Sequence, residues 1–210
     1  MFSGIVEAVS EIKSSQELAN AFRIQVEKPH EFNDLHLGDS VACDGVCLTV
    51  EAFDEQQITF TLAAETIKVL RWNPQSWIGK KMNLERSLRF GDRIHGHLVT
   101  GHVDSLGEIT RAEAEGESFF LDVKVASSVW PFIWKKGSIT INGVSLTVND
   151  VKNAIVEVCL IPETLKRTNL GMLQPGMFVN IEPDYMARAV VAAAQSWKAG
   201  ETGASLGEKL

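Results

Sequence analysis

The chain lacks most of the features that would place it in a special class. It has no apolar run long enough to span a bilayer, so no membrane-crossing helix is expected. Its start, Met1-Phe2-Ser3-Gly4, carries no basic residue, and no secretion signal is expected there. Cysteine is scarce: Cys43, Cys47 and Cys159 are too few, and odd in number, for a disulfide framework. A reducing cytoplasm is the compartment that such usage implies. Positive charge is in deficit, and a net charge of −7 argues against nucleic acid or an anionic membrane as the main partner. No dinucleotide-binding glycine fingerprint and no spaced set of metal ligands is present. What remains is ordinary for a soluble globular protein: 45% apolar residues and a mean hydropathy near zero.

One stretch occurs twice. Ser40 to Val50 reads SVACDGVCLTV and Ser138 to Val148 reads SITINGVSLTV, with six of eleven positions identical. Asp44-Gly45 and Asn142-Gly143 tolerate two successive positive φ angles, so each marks a tight hairpin turn. Beyond the turn, Val46, Leu48 and Val50 share one strand face while Cys47 and Thr49 share the other. In the second copy Ser145 stands for Cys47 and Thr147 for Thr49. Further anchors follow in the same order. Gly4-Ile5-Val6-Glu7 matches Gly101-His102-Val103-Asp104, Thr61 to Thr66 (TLAAET) matches Cys159 to Thr164 (CLIPET), and Asn83-Leu84-Glu85 matches Asn180-Ile181-Glu182. The chain is a duplicated domain of about ninety-five residues followed by a tail. The boundaries expected are 1–90, 91–186 and 187–210.

Short alternating segments dominate each half. Gly4 to Ile12, Phe22 to Val26, the hairpin, Ile58 to Leu62 and Met82 to Leu88 read as strands, with a short helix over Ala63 to Leu70. The second half repeats them as Leu98 to Ile109, Phe119 to Val125, its hairpin and Ile155 to Leu160, with Pro162 opening a helical turn. Six strands per half at such spacing predict an all-β fold of two closed antiparallel barrels, since closure removes exposed edges. Met186, Val190, Ala193 and Trp197 then recur at helical spacing, giving one amphipathic helix whose natural cover is a partner subunit. The stretch Glu201 to Leu210 reads as a frayed tail.

Met1 to Glu7, the two Gly-Val-(Cys/Ser)-Leu-Thr-Val hairpins and Gly96-His97-Leu98-Val99-Thr100-Gly101-His102-Val103-Asp104 together resemble riboflavin synthase of the alpha-chain type. The resemblance runs from Met1 to about Val191. It implies a homotrimer of chains, each with two Greek-key barrels and a C-terminal trimerisation helix. The implied reaction is the dismutation of two 6,7-dimethyl-8-ribityllumazine molecules to riboflavin and 5-amino-6-(D-ribitylamino)uracil, with no metal and no cofactor. The substrate and two further copies of the chain are the implied partners, and a lumazine synthase is a further candidate. Carried over by motif, one pocket uses Gly4, Ile5, Val6, Cys47, Leu48, Thr49, Thr61, Leu62, Ala63, Ala64, Glu65 and Thr66. The other uses Gly101, His102, Val103, Lys136, Ser145, Leu146, Thr147, Cys159, Leu160, Ile161, Pro162, Glu163 and Thr164. In the family, paired pockets come from the N-terminal barrel of one subunit and the C-terminal barrel of a neighbour.

The candidate catalytic residues are Cys47, Ser145, His102, Lys136, Asp184 and Phe2, and each has a plainer reading. Cys47 alone reads as a small buried hydrophobe, but it lies on the polar strand face and exchanges for Ser145 in the repeat. His102 replaces Ile5 of the first copy, and an imidazole can take the proton that a lumazine methyl must lose. His102 is therefore expected beside Ser145. Lys136 and Asp184 also read as solvated charges. Phe2 reads either as core or as a ring that stacks on a flat ligand. His95 and His97 would share one face if they lay on a strand, yet no cysteine or acid stands at supporting spacing for a metal. His95, where the family usually has glycine, and Arg71-Trp72-Asn73-Pro74 depart from the pattern. A non-catalytic lumazine or flavin binder is the alternative function, and a structural tandem-barrel module leaves the matched polar pockets unexplained.

Overall fold

Alternation of buried apolar and outward polar side chains makes the strands, as in Ala21–Glu27, where Ile24 and Val26 turn inward and Arg23 and Glu27 outward. The computed structural model describes residues 1–70 and 74–201. Arg71, Trp72 and Asn73 of the divergent stretch, and the tail from Thr202, lie outside the described residues.

The first half forms β1 (Ala8–Leu18), β2 (Ala21–Glu27), β3 (Ser40–Cys43), β4 (Val46–Phe53), β5 (Gln57–Ala63) and β6 (Lys81–Arg86). They close in the order β1-β2-β5-β4-β3-β6, all neighbours antiparallel. The second half forms β7 (Ser105–Glu115), β8 (Ser118–Lys124), β9 (Ser138–Ile141), β10 (Val144–Lys152), β11 (Ile155–Leu160) and β12 (Phe178–Pro183), closed in the same order. In each barrel the second strand pairs with the fifth rather than the third, the long-range return of a Greek key. Each barrel encloses its own core. Ile24, Val41, Ile58, Phe60 and Leu84 fill the first, and Ile109, Leu121, Ile139, Val158 and Ile181 the second. Each such side chain contributes about 1.5–3 kcal/mol.

Among the described residues three α-helices accompany the strands: α1 (Ala64–Leu70), α2 (Pro162–Arg167) and α3 (Tyr185–Glu201). Pro162 occupies the first turn of α2. Ala187 of α3 is buried, whereas Met186, Val190 and Trp197 are 55%, 64% and 76% exposed within a single chain. Among the described residues no helix is long and apolar enough to cross a membrane.

Two strand expectations need correcting. The stretches Gly4 to Glu7 and Leu98 to Asp104 are not strand; β1 begins at Ala8 and β7 at Ser105. Positive φ at Gly4 (+75°) and Gly101 (+80°) turns each segment away before its barrel begins. His95 and His97 likewise lie in irregular backbone, so strand alternation does not align their rings.

Candidate functional site

The two hairpin turns meet at the seam between the barrels. Asp44 and Gly45 have φ of 46° and 80°, Asn142 and Gly143 of 46° and 78°, as the tight turns require. The turns pack backbone to backbone: a Cβ on Gly45 would lie 2.8 Å from the Gly143 nitrogen, and one on Gly143 2.7 Å from the Gly45 nitrogen. Equivalent bonds then form within each half and across the seam. Asn83 N–H donates to Asp44 Oδ1 and Asn180 N–H to Asn142 Oδ1, both at 2.8 Å. The Asn83 amide donates to the Asn142 carbonyl, and the Asn180 amide to the Asp44 carbonyl, again at 2.8 Å. Such reciprocal bonding is that of a local two-fold relation.

Around this seam the chain crosses over. Phe2 and Val99 pair antiparallel, each N–H donating to the other's carbonyl at 2.8 and 3.0 Å. Two buried carboxylates then capture the segments that follow. Glu85 accepts from the N–H groups of Ser3 and Gly4 and from the Ser3 hydroxyl. Glu182 accepts from the N–H groups of Thr100 and Gly101 and from the Thr100 hydroxyl. Burial pushes both carboxyls above the ordinary range, and these donors oppose the shift.

The held segments lie against the opposite barrel's hairpin. The Gly4 carbonyl accepts from Ser145 N–H at 2.7 Å, and the Gly101 carbonyl from Cys47 N–H at 2.9 Å. A Cβ on Gly4 would lie 2.6 Å from Ser145 Cβ, and one on Gly101 2.6 Å from Cys47 Cβ, so only glycine permits the approach. Val6 joins the core of the second barrel, and Val103 packs against that of the first. This corrects the grouping carried over by motif. Gly4, Ile5 and Val6 belong with Ser145, while Gly101, His102 and Val103 belong with Cys47. His102 is accordingly not the imidazole beside Ser145. The Phe2–Val99 pairing at the seam sends each segment to the other barrel before it enters its own.

Each hairpin also faces a parted pair of strands. The β4–β5 ladder ends at Val50–Phe60 and the β10–β11 ladder at Val148–Val158. Cys47 to Thr49 therefore face Thr61 to Ala63, and Ser145 to Thr147 face Cys159 to Ile161, without ladder pairs. Cys47, Ser145, Thr61 and Cys159 are half-buried, Thr49 and Thr147 exposed, and Leu48, Leu62, Leu146 and Leu160 belong to the cores. The Thr61 hydroxyl donates to Glu51 at 2.8 Å. Beyond the ladders, Ala63, Ala64, Ile161, Pro162 and Glu163 are exposed, and Thr66 and Thr164 are half-buried. The Glu65 side chain lies outside the described residues. Phe2 is fully buried with Ala42 and Val99, and Cys47 packs against that cluster. Its ring is covered by the chain's own atoms. Lys136 is exposed, at a positive φ of 68°. Asp184 accepts from Met186 N–H at 2.8 Å, at the start of α3.

The imidazole beside Ser145 is His97. Its Nδ1 lies 2.7 Å from Ser145 Oγ and its Nε2 3.1 Å from Thr140 Oγ1. A neutral ring satisfies both, donating to one hydroxyl and accepting from the other. Burial holds this imidazole below the ordinary histidine range, and the Asp184 charge opposes that shift only in part. Gly96 makes the approach feasible, since a Cβ there would stand 2.2 Å from the Ser3 carbonyl oxygen and 2.7 Å from Ser145 Oγ. The repeat could not reveal His97, whose counterpart would precede Met1. Glu85 and Glu182 were visible only as a matched pair of acids. His95 is exposed and lines, with Ile5, Arg89 and Arg93, a cavity of about 760 Å³. Among the described residues no group of three or more His, Cys, Asp or Glu side chains is placed to hold a metal.

Two barrels, each with a parted-strand groove walled by a thiol or hydroxyl, a threonine and a captured Gly-x-Val segment, give one chain two related candidate sites. The family model of the lumazine binding domain matches it twice, over residues 3–87 and 100–184. Riboflavin synthase of Bacillus subtilis (strain 168) is 38% identical over 188 residues, covering 90% of this chain and 87% of that protein. Riboflavin synthase of Brucella abortus (strain 2308) is 37% identical over 206 residues, covering 94% and 100%. Among solved structures, LumP complexed with riboflavin superposes with a TM-score of 0.79 at 25% identity, covering 87% of this chain and 99% of that one. The chain belongs to the riboflavin synthase family, enzymes of riboflavin biosynthesis built on paired lumazine binding domains.

Proposed function

We propose that the chain catalyses the dismutation of two 6,7-dimethyl-8-ribityllumazine molecules. One molecule donates a four-carbon unit to the other, giving riboflavin and 5-amino-6-(D-ribitylamino)uracil. The duplication carries this reading: a reaction between two copies of one substrate calls for two related sites, and the chain builds them from one hairpin used twice. Holding both molecules in register contributes up to about 7–11 kcal/mol toward the barrier. The groove at Cys47, with Thr49, Thr61 and the Gly101-His102-Val103 segment, takes one lumazine. The groove at Ser145, with Thr147, Cys159 and the Gly4-Ile5-Val6 segment, takes the other.

The two sites differ in their acid–base equipment. At Ser145 the neutral His97, held between two hydroxyls, is poised to accept a proton through Ser145 Oγ. At Cys47 the exposed His102 and the half-buried thiol stand at the groove itself. The donor's methyl group must lose a proton, so the Ser145 site suits the donor and the Cys47 site the acceptor. Incubating the purified full chain with the lumazine, with nothing else added, should yield riboflavin and the diaminouracil in equal amounts. A product ratio far from one, or a requirement for a redox partner, would refute the dismutation.

The active assembly is a homotrimer that pairs a Cys47 groove of one subunit with a Ser145 groove of its neighbour. The exposed stripe Met186, Val190 and Trp197 on α3 supports a helix-mediated assembly. Deleting residues from Ala187 onward should convert trimer to monomer by light scattering; a truncated trimer would exclude α3 as the joint. The likeness to LumP favours a second reading, a flavin- or lumazine-binding protein without turnover. The pairing of His97 with Ser145, which binding alone does not need, favours catalysis.

A further inference from the structure

The two captured segments are nearly equivalent in their hydrogen bonds but differ in what stands behind them. Glu85 and Glu182 each hold two backbone N–H groups and one hydroxyl. Among the described residues, no cation lies within ion-pair distance of Glu85. The guanidinium next to it in sequence, Arg86, is engaged by Glu7 and Asp34 instead. Glu182 has Arg188, whose Nη2 lies 3.9 Å from Glu182 Oε1. The same guanidinium donates through Nη1 to Asp104 Oδ1 at 2.7 Å.

Arg188 belongs to the first turn of α3, and its N–H donates to the Asp184 carbonyl at 3.2 Å. Its Nε is buried with no hydrogen-bond partner. A desolvated donor left unpaired is costly, so the two carboxylates must hold the guanidinium where it is. These carboxylates flank the segment from Thr100 to Val103. Glu182 fixes its beginning, and Asp104 follows its end. The Gly101 carbonyl within it accepts the Cys47 N–H. One cation on the helix therefore clamps both ends of the segment that presents His102 at the Cys47 groove.

We propose that Arg188 is a positioning residue for the Cys47 groove, fastening it to α3 so that its geometry depends on where the helix is held. The Ser145 groove has no such tie to α3. Its Gly4 segment is held by Glu85, and Glu7 at its end pairs with Arg86 of β6 rather than with a cation of the helix. The cation of the helix that we read as the assembly joint thus ties down one of the two captured segments and not the other. In functional terms this rests on the reading that both grooves take a lumazine.

The test uses the full-length chain with Arg188→Gln, and with Arg188→Lys as the conservative rescue. Hydrogen exchange is followed at the Cys47 amide, bonded to the Gly101 carbonyl, and at the Ser145 amide, bonded to the Gly4 carbonyl. Arg188→Gln should speed exchange at Cys47 by about tenfold or more and leave Ser145 within about twofold, with Arg188→Lys restoring most of the protection. Asp104→Asn, which removes one anchor and leaves the helix intact, should produce the same one-sided change. Equal acceleration at both amides, or none at either, would overturn the inference. In a second arm, lumazine protects Cys47 and Cys159 from alkylation as separate reporters of the two grooves. Arg188→Gln should raise the protecting concentration at Cys47 by about tenfold and at Cys159 by less than about twofold. Failure of lumazine to protect either thiol in the unaltered chain would refute the site reading, while the exchange arm still decides for or against the tie.

Discussion

Asp44 is the one ionisable group in the turn-to-turn contact at the seam, and its replacement by asparagine should change how stability depends on pH. Burial raises its carboxyl from 3.8 to about 7, against the pull of the Asn83 N–H and the Asn169 amide. Because the folded-state value lies above the unfolded one, the fold binds this proton more tightly than the unfolded chain does. The Asp44 contribution to stability is therefore most favourable at low pH, is lost as pH rises from about 4 to about 7, and is a full penalty above that. A shift of roughly three units, at about 1.4 kcal/mol per unit, places the penalty of the ionised form at about 2–4 kcal/mol once partial solvation is allowed for. Asparagine keeps an oxygen for the Asn83 N–H, as Asn142 does for the Asn180 N–H in the second barrel at 2.8 Å. Asp44→Asn should thus stabilise the protein by about 2–4 kcal/mol at pH 8 and by only about 1 kcal/mol at pH 4.5. The measurement is urea unfolding by circular dichroism at a series of pH values, at one fixed protein concentration because assembly contributes to stability. A difference between variant and unaltered chain that stays constant across that range would refute the reasoning, since other carboxylates raised by burial, such as Glu85 and Glu182, cancel in the comparison.

Two further substitutions probe the exchanged architecture. Gly101→Ala places a methyl 2.6 Å from Cys47 Cβ and 3.0 Å from the Phe2 ring, at a φ of +80°. It should cost more than about 2 kcal/mol in thermal unfolding and abolish lumazine protection of Cys47 while sparing Cys159; equal loss at both thiols would contradict the assignment of Gly101 to the Cys47 groove. His97→Gln should lower kcat by about 10²-fold with little change in KM, because a base acts in the transition state more than in substrate binding. The acid limb of the unaltered enzyme's pH profile should fall below the ordinary histidine range, since burial depresses this imidazole. A change in KM alone would assign His97 to binding.

The duplication, both Asp/Asn-Gly turns, the inward alternation of the strands and the short helices at Ala64–Leu70 and Pro162–Arg167 were legible in the residues themselves. All are local: positive φ at a turn, a two-residue period and a proline in a first helical turn are set by neighbours a few positions apart. That Cys47 and Ser145 occupy equivalent places also followed from the repeat alone. Which Gly-x-Val segment each faces did not follow, and offset matching assigned them the wrong way round. That assignment depends on Phe2 pairing with Val99, on the Gly45 and Gly143 turns abutting, and on Glu85 and Glu182 capturing amides 81 and 82 positions away. His97 reaches Ser145 across 48 positions for the same reason. No periodicity records such contacts. They form because buried backbone N–H groups at the seam must find acceptors, and the nearest acceptors there lie far away in the sequence.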